Sequence, residues 1–281
     1  MAERPLPRLP PLREIIAAHE LAADKRLGQH FLLDLNLTAK IARAAGDLGG
    51  VSVIEIGPGP GGLTRALLDT NAAKVVAVER DLRCIAALQS LLASFEDRLQ
   101  LVEADALAVD VSTLAPAPRA IVANLPYNIA TPLLLGWLAR IRDFVSLTLM
   151  FQREVAERLV ATPRSKAYGR LSVMTQWLTE AGLLFELPAR AFTPPPKVDS
   201  SVVRLIPRNL GAGEPSFAAM ERVVAAAFGQ RRKMLRAALK TLLSDPTALL
   251  EQAGIDPTAR AEELDVDSFK RLARLWSNRN A

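Results

Sequence analysis

The stretch VSVIEIGPGPGGLT, residues 51–64, joins a short apolar run to a glycine-rich turn. The run Val51–Ile56 is rich in Val and Ile, which predicts a strand buried on both faces of a sheet. Leu63–Thr70 then has its apolar residues at helical spacing. Glycines between a strand and a helix let the backbone turn tightly and approach a ligand closely. The stretch therefore predicts the first unit of a ligand-binding α/β domain.

Runs of the same two kinds alternate along the following hundred residues. We predict strands at Val51–Ile56, Lys74–Glu79, Leu99–Glu103, Ala120–Ala123 and Ser146–Phe151. Between them we predict helices at Leu63–Thr70, Asp81–Phe95 and Pro132–Arg142. Strands that alternate with helices pair in parallel, so we expect an α/β fold with a doubly wound, mostly parallel, Rossmann-like sheet.

The alternation stops where Pro207, Gly211, Gly213 and Pro215 interrupt the chain. Beyond this point we predict only helices, at Phe217–Phe228, Gln230–Leu243, Thr247–Ala253 and Val266–Trp276. We therefore expect an α/β domain over residues 1–207 and a small all-helical domain over 208–281. The first domain includes an N-terminal extension with a short helix at Leu12–Ala23.

Composition narrows the class of protein. A net charge of +5 and a pI near 9.6 favour a polyanionic partner such as nucleic acid. Cys84 is the single cysteine, which excludes an internal disulfide and a cysteine-based metal cluster and indicates a reducing, cytoplasmic compartment. We expect no metal site and no membrane span, and Met1–Pro7 lacks the apolar core of a signal peptide.

The glycine-rich turn fits a nucleotide-containing cofactor. Gly57, Gly59 and Gly62 match the spacing G-x-G-x-x-G. Glu79 ends the next predicted strand, where a carboxylate accepts hydrogen bonds from ribose hydroxyls. These residues are equally typical of NAD and of other adenosine cofactors.

Two prolines in the turn separate these alternatives. Pro58 and Pro60 have no backbone N–H and remove two donors that a pyrophosphate requires. S-adenosylmethionine has no phosphate and loses little by their absence. Asp105, just past the third predicted strand, suits the exocyclic amine of its adenine. We therefore expect S-adenosylmethionine as the cofactor.

The tetrapeptide Asn124-Leu125-Pro126-Tyr127 ends the fourth predicted strand. Ligands of open parallel sheets bind beyond the carboxyl ends of the strands, so this turn is expected to share the crevice of Gly57. The side-chain oxygen of Asn124 and the carbonyl of Leu125 would accept from the two N–H bonds of an adenine amine. Pro126 stiffens that carbonyl, and Tyr127 offers a face on which a base stacks. The pattern favours methylation of an adenine N6 amine.

Together these motifs resemble the ribosomal RNA adenine dimethyltransferases, within their small-subunit branch. The resemblance covers nearly all of the chain beyond the first twenty residues. It extends to four further motifs: residues 25–32 (KRLGQHFL), 165–171 (SKAYGRL), 192–200 (FTPPPKVDS) and 228–233 (FGQRRK).

The resemblance implies roles for individual residues. His30 and Leu32 would close over the cofactor, Gly57 and Gly59 would contact it, Glu79 would bind its ribose and Asp105 its adenine. Asn124 would contact the reacting centre, and Phe192 would stack on the flipped base opposite Tyr127. The family usually has Asn where this chain has His30, so the chain departs from the family at one of the implied cofactor contacts.

The resemblance also implies a substrate: two adjacent adenosines near the 3′ end of 16S rRNA, within the immature 30S subunit. We expect a monomer whose RNA contacts include Arg231, Arg232, Lys233 and Arg236. Arg232, Arg236 and Lys240 fall on one face of the predicted helix Gln230–Leu243, which would follow the RNA phosphates.

Two alternatives remain open at this point. In the first, the chain methylates another substrate, DNA adenine or protein glutamine, because the enzymes that methylate these groups have similar Asn-Pro-Tyr turns. Alternatively, it binds immature small subunits as an assembly factor, a role that is compatible with methylation.

Overall fold

The computed structural model describes residues 9–24 and 27–279. Its strands, β1 to β9 in chain order, are Phe31–Leu32, Ser52–Ile56, Lys74–Glu79, Leu99–Glu103, Arg119–Asn124, Ser146–Gln152, Thr179–Leu187, Phe192–Thr193 and Ser200–Pro207. Its α-helices, α1 to α11, are Leu12–Ala18, Leu35–Ala44, Gly62–Leu68, Leu82–Ser94, Tyr127–Ala139, Arg153–Val160, Arg170–Leu178, Phe217–Gly229, Leu235–Ala238, Thr247–Gln252 and Val266–Arg279.

Seven of the strands form one sheet in the order β4-β3-β2-β5-β6-β9-β7. The five strands from β4 to β6 are parallel, and β9 pairs with β6 in the antiparallel sense. A separate pair joins β1 to β8. The mostly parallel, Rossmann-like sheet predicted from the alternation of strands and helices is confirmed.

The central strand β2 has all five of its residues buried. Val53 and its neighbours Val75 on β3 and Ala120 on β5 have no exposed surface and belong to one hydrophobic cluster. Burying aliphatic side chains on both faces is the main favourable contribution to such a sheet. The same central position brings the turn after β2 to the carboxyl edge of the sheet, where ligands bind in this class of fold.

Side-chain caps fix the start of two helices that border this edge. The carboxylate of Asp34 accepts from the backbone N–H of Asn36 at the start of α2, and that of Asp81 accepts from Arg83 at the start of α4. Each cap satisfies an amide that the helix itself leaves without a partner.

Several predicted elements differ from the structure. Helix α5 begins at Tyr127, five residues before its predicted start, and includes Pro132 within it. Helix α1 ends at Ala18, and Glu20 after it has a left-handed φ of 47°. Strands β1, β7, β8 and β9 are absent from the prediction. The first and third of these have two residues each, and β7 lies at the sheet edge and exposes Leu183 and Leu184 in succession.

The predicted helix Gln230–Leu243 is wrong as a continuous element. Helix α9 is short because neighbouring chain replaces its helical hydrogen bonds: Leu235 N–H donates to the carbonyl of Ala259 (2.8 Å) and Arg236 N–H to that of Pro257 (3.1 Å). Met234 also forms an isolated bridge with Arg260. Residues 230–234 are therefore a turn that precedes α9.

The chain divides into two compact units, one of residues 1–156 and 182–206 and one of 157–181 and 207–281. The predicted α/β domain includes residues 157–181, whereas the structure groups them with the C-terminal helices. The reason is that α7 packs against α8 and α11 with Val173, Met174 and Trp177 buried.

None of the helices in the described part of the chain is long and apolar enough to span a bilayer. The segment Met1–Pro7 and the first two residues of the motif at 25–32 lie outside the described residues.

Candidate active site

Two positions of the turn between β2 and α3 disfavour any residue that has a side chain. Gly59 has a φ of +54°, and its N–H donates to Oε2 of Glu79 at 3.2 Å. A Cβ atom at Gly62 would lie 2.8 Å from the carbonyl oxygen of Leu32. The turn thus needs glycine for its dihedral angles at one position and for close backbone approach at the other.

Glu79 at the end of β3 is buried, with three backbone amides directed at its carboxylate. Besides Gly59, the N–H groups of Arg80 (2.8 Å) and Asp81 (2.9 Å) donate to its Oε1. Burial raises the pKa of Glu79, and the three amides act in the opposite direction. These bonds fix the carboxylate at the pocket wall, where it has further lone pairs for hydroxyl donors.

Asn124 at the end of β5 has its amide orientation determined by the chain before β1. Its Nδ2 donates to the carbonyl oxygen of His30 at 3.3 Å. A carbonyl only accepts, so the nitrogen faces His30 and Oδ1 is left to accept from a substrate. The ring of His30 is itself fixed, because its Nδ1 donates to the carbonyl of Pro194 at 2.7 Å.

Tyr127 is the first residue of α5, and its ring is fixed at the far end. Its hydroxyl lies 2.5 Å from Oγ of Ser200 on β9. Burial raises the pKa of Tyr127 and the bond to Ser200 lowers it, with burial the larger effect. The ring centroid is 5.5 Å from that of His30, so two aromatic rings stand on this side of the pocket.

One pocket brings together most of the site residues expected from the sequence. Its lining includes His30, Leu32, Gly57, Gly59, Glu79, Asn124, Leu125, Pro126 and Tyr127. The elements responsible are the β1 segment, the glycine turn, the end of β3 and the turn after β5. Loops that follow parallel strands meet at one edge of the sheet, which explains the convergence.

Two of the expected residues are placed differently. Asp105 follows β4 and forms an ion pair with Arg80 of the pocket wall (2.9 Å), and its other oxygen accepts from Leu107 N–H. Phe192 lies within the hydrophobic core with 2% of its surface exposed, paired with Leu32 across β1 and β8. In this structure its ring is not accessible to a stacked base.

The predicted RNA contacts lie in the second unit and differ in their availability. Arg231 is engaged within the unit, since its Nε pairs with Glu262 and its Nη2 donates to the carbonyl of Lys166, both at 2.8 Å. Arg232, Lys233 and Arg236 are exposed. They occupy a turn and a short helix, so the single basic helical face expected from the sequence is wrong.

Sequence reasoning missed two residues of the site. One is Ser200, the last residue of the motif at 192–200, whose link to Tyr127 depends on the unpredicted strand β9. Glu55 lines the pocket with 1% exposure. A carboxylate as the one charged residue of a mostly apolar strand, directly before a glycine turn, is a signal that identifies it from the sequence.

Comparisons with known proteins agree with this geometry. A family model described as "Ribosomal RNA adenine dimethylase" matches residues 21–277. A "Ribosomal RNA small subunit methyltransferase A" of Azorhizobium caulinodans is 60% identical over 274 residues, which are 94% of this chain and 92% of that relative.

Two solved structures resemble the chain over most of its length. A dimethyladenosine transferase from Plasmodium falciparum has a TM-score of 0.73 at 28% identity, over 86% of this chain and 96% of that one. The 23S rRNA methyltransferase ErmE has a TM-score of 0.65 at 30% identity, over 88% and 99%.

Proposed function

This chain belongs to the ribosomal RNA adenine dimethylase family, and from that membership we propose that it dimethylates the N6 amines of two adjacent adenosines near the 3′ end of 16S rRNA. The observation that carries the proposal is the pocket itself, in which the turn Asn124–Tyr127 stands beside the glycine turn and Glu79. An amine-binding turn next to a nucleoside-binding turn is the arrangement that this reaction needs.

The residues of the pocket fit S-adenosylmethionine as the methyl donor. Glu79 would accept hydrogen bonds from the ribose hydroxyls. Asp105 would accept one from the adenine amine once its ion pair with Arg80 opens. Pro58 and Pro60 line the wall where a phosphate-binding loop would present amides. When bound, this cofactor supplies an electrophilic methyl group on a positively charged sulfur.

The protein's own contribution is alignment. The lone pair of an adenine amine is delocalised into the ring, so the amine is a poor nucleophile. Acceptance of its N–H bonds by Oδ1 of Asn124 and the carbonyl of Leu125 favours a tetrahedral nitrogen. The methylated nitrogen loses its proton to solvent, so positioning and electrostatics suffice without a strong base.

The target base has to leave its stack to reach this turn. Tyr127, held by Ser200, provides a face worth ~1–3 kcal/mol of stacking. We include Phe192 as the second face, which requires its ring to move out of the core when RNA binds. Phosphate contacts are assigned to the exposed Arg232, Lys233 and Arg236, with Arg231 in a supporting role.

We propose small-subunit RNA, and not large-subunit RNA, as the substrate. The relative named for the small subunit is 60% identical, whereas the 23S rRNA methyltransferase is 30% identical. We further propose that the chain acts as a monomer in the cytoplasm on immature 30S particles and contributes to their assembly.

The test is methyl transfer from labelled S-adenosylmethionine to undermethylated 30S subunits, with the modified nucleotide identified by mass. Dimethyladenosine is expected in 16S rRNA, and transfer only to DNA, protein or 23S rRNA would contradict the proposal. Asn124→Ala should reduce the rate by about 100-fold or more while the subunits are still bound. If that variant also supports assembly, the assembly role is separate from methylation.

A further inference from the structure

Glu55 is a buried carboxyl group at the wall of the pocket. It lies on β2, lines the pocket and is 1% exposed. Neither its Oε2 nor Oγ1 of Thr64 on α3 has a hydrogen-bond partner among the described residues. A buried carboxylate without compensating partners is strongly disfavoured, so burial favours the neutral form of this group.

The charges around Glu55 act in the same direction. Burial raises the pKa of Glu55 to about 8, and the negative charge of Glu79 raises it further. The Thr64 hydroxyl lies near enough to lower this pKa in part, although it does not meet the geometry of a hydrogen bond to Glu55. The other titratable groups of the described pocket wall are Arg80 from the end of β3, His30 before β1 and Tyr127 on α5. Arg80 is already paired with Asp105.

This arrangement leaves Glu55 responsive to a positive charge that arrives from outside. An opposite charge nearby favours the ionised form of a carboxyl group. The proposed donor brings such a charge on its sulfur, and loses it when the methyl group is transferred, whereas the thioether product has an uncharged sulfur.

We propose that Glu55 is a charge-sensing residue of the cofactor pocket, protonated in the free protein and ionised when the cationic methyl donor binds. The inference rests on the proposed function. On binding, the O–H bond of Glu55 breaks and its proton passes to solvent. After transfer the sulfur is neutral and the carboxylate takes a proton back from solvent. The pocket therefore prefers the donor over the product, which favours product release.

The experiment is calorimetric titration of the full chain with S-adenosylmethionine and, separately, with S-adenosylhomocysteine. Each titration is run in two buffers of different ionisation enthalpy, so that protons released on binding are counted. The variants are wild type, Glu55→Gln and the control Glu103→Gln, which changes an exposed glutamate on β4. The amine of each ligand titrates equally in all three proteins, so the difference between variants isolates Glu55.

At about pH 7, wild type and Glu103→Gln are expected to release close to one proton more than Glu55→Gln with the donor. With the product they should release no excess. The donor Kd of wild type should tighten by up to about tenfold per pH unit relative to Glu55→Gln, and this gain should cease above about pH 8. Equal proton release in wild type and Glu55→Gln, or an unchanged donor-to-product affinity ratio, overturns the inference.

A second measurement uses only the wild-type protein, in case Glu55→Gln does not fold. The infrared difference spectrum should show the carbonyl band of a protonated carboxyl group disappearing on addition of the donor. The band should persist on addition of the product, and its persistence with both ligands overturns the inference. Failure of the donor to bind at all contradicts the proposed function instead, so the two failures are distinguishable.

Discussion

Asn124 has one side-chain atom committed to the protein and one left for a substrate. Its Nδ2 donates to the carbonyl of His30, which leaves Oδ1 to accept from the amine of the proposed substrate. His30 is in turn tied to Pro194. His30 therefore acts through its backbone carbonyl at this point, a role that any residue at that position supplies.

Ser200 is predicted to act through Tyr127. Ser200→Ala removes the partner of the Tyr127 hydroxyl and loosens the ring, so the methylation rate should fall by about 3- to 10-fold with donor affinity unchanged. Tyr127→Phe should have a similar effect, and the double variant should be no slower than either single one, because both remove one interaction. The matched control is Ser201→Ala, the buried neighbour on β9. Additive losses in the double variant would contradict the link.

Glu55 also predicts a dependence of stability on pH. Its pKa rises from 4.5 to about 8 on folding, so the folded state holds a proton that the unfolded chain releases between these values. The contribution of Glu55 to the free energy of unfolding is therefore present below about pH 4.5 and lost as the pH rises towards 8. Relative to wild type, Glu55→Gln should gain roughly 2–4 kcal/mol between pH 5 and pH 8 in urea unfolding. A constant difference over this range would contradict the assignment.

At the scale of single elements, Ala substitutions at two glycines test whether the space around an added Cβ atom determines stability. Gly62→Ala at the start of α3 brings a Cβ within 2.8 Å of a backbone carbonyl, which should cost about 1–3 kcal/mol and weaken cofactor binding. Gly136 lies inside α5 with nothing within 4 Å of an added Cβ. Gly136→Ala should therefore raise the free energy of unfolding by about 0.5–1 kcal/mol. Thermal unfolding of both variants checks the opposite signs.

Tyr168 belongs to the motif at residues 165–171, and the structure buries it completely. Its hydroxyl has no hydrogen-bond partner among the described residues, and its ring lies 6.1 Å from that of Phe228 on α8. Tyr168→Phe should raise the free energy of unfolding by about 1 kcal/mol, because a buried hydroxyl without a partner is unfavourable. A loss of stability would reveal a partner for the hydroxyl.

The elements predicted well from sequence are those set by local pattern. Strand β3 was predicted with its observed bounds, and the turns at Gly57 and Asn124 follow from strand ends in a parallel sheet. The edge strand β7 and the short helix α9 depend instead on partners distant in sequence, such as Pro257 and Ala259. The burial of Phe192 also depends on such a pairing, with Leu32. Periodicity contains no information about those partners.

At the scale of the whole molecule, the balance of charge predicts how RNA binding responds to salt. Replacing both Arg232 and Arg236 by Ala should lower the slope of log affinity against log salt by about 1.4–1.8, since each neutralised phosphate contributes roughly 0.7–0.9. Arg231→Ala should mainly destabilise the second unit, because Arg231 pairs with Glu262 and binds the carbonyl of Lys166. Filter binding over a salt series, with thermal unfolding of each variant, distinguishes these effects. An unchanged slope in the double variant would remove these residues from the RNA-binding surface.

The strand order of the sheet also determines which parts of the protein can fold first during synthesis. Strand β9 lies between β6 and β7 although it is made after both. During synthesis β7 leaves the ribosome before the strand that attaches it to the sheet exists, and Ser200 follows Tyr127 by 73 residues. The parallel core from β2 to β6 can assemble early, whereas Ser200, the hydrogen-bond partner of Tyr127, arrives only with β9. A nascent chain arrested before residue 200 would therefore hold the five parallel strands of the sheet, with Tyr127 still without its partner Ser200.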